Sequence, residues 1–90
     1  MNADQKELFR IALLRVLDAN RTRFGLALPA LCLMVRQFGF AAQPNDPRAL
    51  DEIDYLTRKG LLEEAAKPIS AENRAWRITG AGIAFLDEQA

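Results

Sequence analysis

Ninety residues carry twelve basic and twelve acidic side chains, no histidine and one cysteine, with half of the chain hydrophobic and 27% charged. This is the make-up of one small globular domain, residues 1–90, with a limited core, and its balanced charge lacks the basic excess of dedicated nucleic-acid binders. The missing histidine removes histidine general bases, Ser-His and Cys-His nucleophile pairs and histidine metal sites, and a single cysteine excludes an internal disulfide.

The opening Met1-Asn2-Ala3-Asp4 has neither a basic nor an apolar leader character, so no signal peptide is expected. A first helix is predicted over 5–19, with Asp4 and Glu7 as a capping pair. Its apolar stripe is Leu8, Phe9, Ala12, Leu13 and Val16. Ile11 and Leu14 fall off that stripe, and a helix apolar beyond one face needs a second surface to pack against. Asn20-Arg21-Thr22-Arg23 breaks the pattern and Gly25 closes the turn.

A second helix is predicted over 28–37, with Pro29 tolerated in its first turn and Gly39 at its end. Leu28, Leu31, Cys32, Met34, Val35 and Phe38 form its inner face, and Leu33 points away beside Arg36 and Gln37. Cys32, inside an apolar run, reads as a small buried hydrophobe. The mostly apolar stretch 26–35 is too short to span a bilayer, so a soluble cytoplasmic protein with no membrane contact is expected. Residues 41–47 have loop chemistry and end on Asp46-Pro47, a helix cap followed by a first-turn proline. The third helix then runs over 47–59, with Leu50, Ile53 and Leu56 inward and Gly60 as its stop.

Residues 61–65 read as a short strand, 67–73 as a turn, and Arg74-Ala75-Trp76-Arg77-Ile78-Thr79 alternates as a half-buried strand does. The two strands make a hairpin, with Trp76 packed between it and the third helix. Thr79 caps a last helix over 80–88 that contains Ile83, Phe85 and Leu86. The fold class is mainly α with a small β-hairpin, in the order helix, helix, helix, strand, turn, strand, helix.

Two stretches resemble known families. Tyr55-Leu56-Thr57-Arg58-Lys59-Gly60-Leu61-Leu62 resembles the exit from the recognition helix in MarR-, PadR- and ArsR-like regulators. The stretch Trp76-Arg77-Ile78-Thr79-Gly80-Ala81-Gly82 and onward to Leu86 is similar to the step from the second wing strand into the last helix of the same families. The chain therefore resembles a winged helix-turn-helix domain (α-α-α-β-wing-β-α), and its size and pattern also resemble the small winged-helix proteins of Mu-like prophages. The resemblance implies a DNA-binding or DNA-associated regulator, with the third helix in the major groove and the wing on the backbone.

On that reading the outward face of the third helix is Arg48, Asp51, Tyr55, Arg58 and Lys59, with Glu52 and Asp54 at its margins. The wing and turns add Lys67, Arg74, Arg77, Arg21 and Arg23 as phosphate contacts. Local charge opposes it: Arg48, Arg58 and Lys59 stand among Asp46, Asp51, Glu52 and Asp54, and carboxylates repel phosphates. Arg48 with Glu52, and Asp54 with Arg58, have the i,i+4 spacing of ion pairs on a solvated helix. The alternative is a protein–protein adaptor, such as a phage assembly or packaging accessory. A homodimer is expected through Ile11, Leu14, Leu33 and Phe85, because helices 1 and 4 form that contact in regulators of this shape. No cofactor, metal site or catalytic constellation is expected, since the acidic neighbours lack further ligands and no glycine-rich phosphate loop is present.

Overall fold

Asn2 starts the first helix: its side chain accepts from the Gln5 backbone N–H at 2.8 Å, and Gln5 Oε1 accepts from the Asn2 N–H at 3.1 Å. This reciprocal cap satisfies two donors that a helix end otherwise leaves bare. It sits two residues earlier than the expected Asp4–Glu7 pair, so α1 spans Ala3–Ala19. The computed structural model describes residues 2–22, 24–43, 46–65 and 74–89. Its further elements are β1 (Leu26–Ala27), α2 (Leu28–Met34) continued by a 3₁₀ turn (Val35–Phe38), α3 (Pro47–Arg58), β2 (Leu62–Glu64), β3 (Ala75–Ile78) and α4 (Gly80–Glu88). The result is a mainly helical α+β fold with one small antiparallel sheet.

β3 is the central strand, with the sheet order β1-β3-β2. β2 pairs with β3 in the register Leu62↔Ile78, Glu63↔Arg77 and Glu64↔Trp76, and β1 adds Leu26↔Trp76 and Ala27↔Ala75 on the far edge. The β1 strand was not expected. Two residues carry too little alternation to register as a strand; the pairing is made by β3, fifty residues away along the chain.

α1 is the central helix, packed on α2, α3, α4 and β3. That many neighbours bury a broad arc of it: Phe9, Ala12, Leu13, Leu14, Val16 and Leu17 are all buried. The expected stripe is therefore rotated. Leu14, expected at a dimer interface, lies in the core at 0% exposure, while Leu8, expected inward, is 58% exposed. The second packing surface that α1 needed is supplied by its own chain. Leu31, Cys32, Val35, Ile53, Leu56, Leu62 and Trp76 complete the core, and burial pushes the Cys32 thiol up from its ordinary value. Phe9 stacks at a tilt on Phe40, with ring centroids 5.2 Å apart. Phe38, expected on the inner face of the second helix, is 45% exposed, because the helix tightens into the 3₁₀ turn before reaching it.

The two stretches singled out in the sequence meet in space. At the end of α3 the Leu61 N–H reaches the Leu56 carbonyl and the Gly60 N–H reaches the Thr57 carbonyl, both at 3.0 Å. This double closure needs the left-handed residue supplied by Gly60, at φ 78°. The Thr79 hydroxyl then donates to the Gly60 carbonyl at 2.7 Å while accepting from the Gly82 N–H at 3.0 Å. Thr79 thus caps α4 and ties it to the exit of α3.

Candidate nucleic-acid interface

α3 is held from behind. Ala49, Glu52, Ile53 and Leu56 are buried, and Glu52 takes a hydrogen-bonded ion pair from Arg10 of α1. The Arg10 guanidinium also lies over the Tyr55 ring, 3.8 Å from its centroid, with the Lys59 ammonium 5.6 Å away. Tyr55, expected near the centre of the outward face, is half-buried and packs against the core. This Arg10–Glu52–Tyr55 cluster joins residues more than forty positions apart, and no local sequence signal marks it.

Arg48, Asp51 and Arg58 are exposed, as is Lys59, which lies beside the Tyr55 ring on the side of α1. Arg48 is not paired with Glu52 as the i,i+4 spacing suggested. It turns back to Asp46, with Nε and Nη2 at 3.2 and 3.0 Å from the two carboxylate oxygens. The same carboxylate accepts the Arg48 backbone N–H as the helix cap. The Arg48 guanidinium and then the backbone N–H hold the Asp46 carboxyl down from 3.8 to about 2, against the opposing effect of burial. Asp54 is half-buried. Arg58 makes no ion pair among the described residues, so its expected pairing with Asp54 is absent.

The hairpin cations are also engaged. Arg74 forms a two-point pair with Glu64, at 3.0 and 3.1 Å, and its guanidinium lies 4.9 Å from the Trp76 ring centroid. Arg77 donates to Glu63 at 2.6 Å, directly across the β2–β3 register. Trp76 itself is buried, as expected. Arg21 pairs with Asp18 at the end of α1, its Nε at 2.8 Å. Lys67 and Arg23 lie outside the described residues.

The residues expected at a dimer contact do not form one patch. Ile11 and Phe85 are half-buried and line a cavity of about 570 Å³ between α1, α3 and α4, together with Tyr55 and Lys59. Leu33 is 62% exposed on α2 and lies apart from them. Among the described residues no group of three or more acidic or thiol side chains stands close enough to hold a metal, and no helix is long and apolar enough to cross a membrane. Comparison with protein-family models, with curated proteins and with solved structures gives no match.

Proposed function

We propose that the chain is a winged-helix protein that associates with duplex DNA through α3 and acts in regulation. The observation that carries this reading is the disposition of α3: its back is fixed to α1 and the sheet, and its Arg48–Asp51–Arg58 face lies in solvent beside Lys59. The three-stranded antiparallel sheet and the helix that follows it support this reading. Arg58 and Lys59 are the cations most ready for phosphate, and Arg48 joins them when it exchanges the Asp46 carboxylate for a phosphate.

Three phosphate contacts correspond to a slope of about −2.7 in log K against log salt, or roughly fortyfold weaker binding between about 50 and 200 mM salt. Fluorescence anisotropy on mixed duplex fragments measures this directly. Arg58→Glu with Lys59→Glu should abolish the binding while the circular dichroism spectrum stays that of the parent; unchanged binding by this variant overturns the assignment of the face.

A second reading, a protein-interaction adaptor, is favoured by a different observation. Arg21, Arg48, Arg74 and Arg77 are each held by a carboxylate of their own chain, which cancels charge that phosphate would otherwise see. No duplex binding even at about 50 mM salt selects this reading.

A further inference from the structure

The cavity of about 570 Å³ between α1, α3 and α4 falls within the size range of small-ligand sites, about 300–1,000 Å³. Helical spacing builds its walls. Glu7, Arg10 and Ile11 stand three and four residues apart on α1, and Tyr55 and Lys59 stand four apart at the end of α3, so each set shares one side of its helix. Ile11, Leu56, Leu61 and Phe85 give the cavity an apolar, largely aliphatic lining. The polar groups around it fall into two kinds. Arg10 is already matched, by Glu52 and by the ring of Tyr55. Glu7 and Lys59 are exposed and make no ion pair among the described residues. The hydroxyl of the half-buried Tyr55 makes no hydrogen bond among them.

We propose that this cavity binds a free amino acid with a branched aliphatic side chain. An apolar pocket bordered by one unmatched acid and one unmatched base selects its ligand by charge. A monoanion gains from Lys59 and loses to Glu7. A monocation gains from Glu7 and loses to Lys59 and Arg10. A zwitterion carries both charges within a few bonds of each other and matches both. Its ammonium donates to the Glu7 carboxylate, and its carboxylate accepts from the Lys59 ammonium and the Tyr55 hydroxyl. Its side chain enters among Ile11, Leu56, Leu61 and Phe85, where apolar burial adds to the charge contacts. An aliphatic side chain suits this lining better than an aromatic one, because the Arg10 guanidinium, 3.8 Å from the Tyr55 centroid, already covers that ring.

The test is a titration of the whole 90-residue chain with L-leucine, followed by amide NMR shifts. No DNA is present, so the outcome is independent of the DNA reading. Saturable shifts are expected at the start of α1, the end of α3 and α4, complete by about 10 mM leucine, where even a millimolar site is filled. Isocaproate, which lacks the ammonium, and isoamylamine, which lacks the carboxylate, should each bind about tenfold more weakly or worse, the cost of one charged hydrogen bond. Glu7→Gln should weaken leucine by a similar factor and leave isocaproate binding equal or stronger. Lys59→Met should weaken leucine likewise and leave isoamylamine binding equal or stronger. A merely structural role for either side chain does not produce this crossed pattern. Both side chains are exposed, and circular dichroism checks that each variant is folded. No saturable shift with leucine, an analogue that binds as well as leucine, or leucine binding indifferent to both variants overturns the proposal.

Discussion

The Arg10–Glu52 pair fixes α3 against α1, and its two halves are buried unequally: the Arg10 side chain is 26% exposed and that of Glu52 is 9% exposed. Removing one partner therefore has an asymmetric cost. In Glu52→Gln the arginine loses its counter-charge but can turn toward water and keep its contact with Tyr55, so the loss is about 2 kcal/mol, in the range of a hydrogen bond between charged groups. In Arg10→Met a carboxylate is left buried without a partner, and the cation–π contact over Tyr55, at 3.8 Å, is lost as well. About 3 kcal/mol is expected, the lower end for breaking a buried pair. Urea denaturation of the parent, both single variants and the double variant measures all four stabilities at matched slopes. The double variant should lose about 1.5 kcal/mol less than the sum of the singles, because the two groups share one interaction. A Glu52→Gln cost equal to or above that of Arg10→Met, or a coupling below about 0.5 kcal/mol, would refute the argument from unequal burial.

Gly82 tests the junction of the two sequence stretches. A Cβ there meets the Leu61 carbonyl oxygen at 2.2 Å and Ile78 Cγ1 at 2.7 Å. Gly82→Ala should therefore destabilise the chain by about 2 kcal/mol or more, despite alanine's better helix propensity; a thermal midpoint at or above that of the parent contradicts the close approach. Asp46 gives a pH signature. Its carboxyl is lowered from 3.8 to about 2 in the folded chain, so the unfolded chain binds the proton first as pH falls. Its contribution is present in full above the ordinary carboxylate range and is lost as pH drops through about 2. The stability difference between the parent and Asp46→Asn should shrink over that interval, read from urea midpoints; a difference independent of pH there argues against the Arg48 contact.

Features written in neighbouring residues were legible from the sequence. Asp46-Pro47 at the start of α3, Gly60 at its end and Thr79 before α4 each act within a turn of where they stand, and each takes the expected role. The cap of α1 was misplaced because Asn2 and Gln5 form the same reciprocal pattern as Asp4 and Glu7, and local chemistry alone does not choose between them. Leu8 and Leu14 show a different limit. Periodicity finds that α1 has an apolar arc, but its centre depends on where α2, α3, α4 and β3 lie around it. Arg10–Glu52 and β1–β3 depend on the same tertiary arrangement and leave no local trace.

The candidate interface was legible as residue types and misread as available charge. Counting cations on α3 and the hairpin treats each as free, yet the fold brings a carboxylate to Arg48, Arg74 and Arg77. Asp46 reaches Arg48 because the cap geometry points it back along the first turn. Glu63 reaches Arg77 because the strand register sets them opposite each other. Glu52, counted against DNA binding on charge, is turned away from the face by Arg10 and repels a phosphate there far less than its sequence position suggests. The two corrections act in opposite directions: fewer free cations, and one fewer exposed anion. What remains on α3 is Arg58 and Lys59 at its C-terminal end, with Asp51 exposed at mid-helix. A face with so little unpaired charge gains little from phosphate attraction alone, so the proposed DNA association would have to draw on groove fit or on a second copy that presents the same face again.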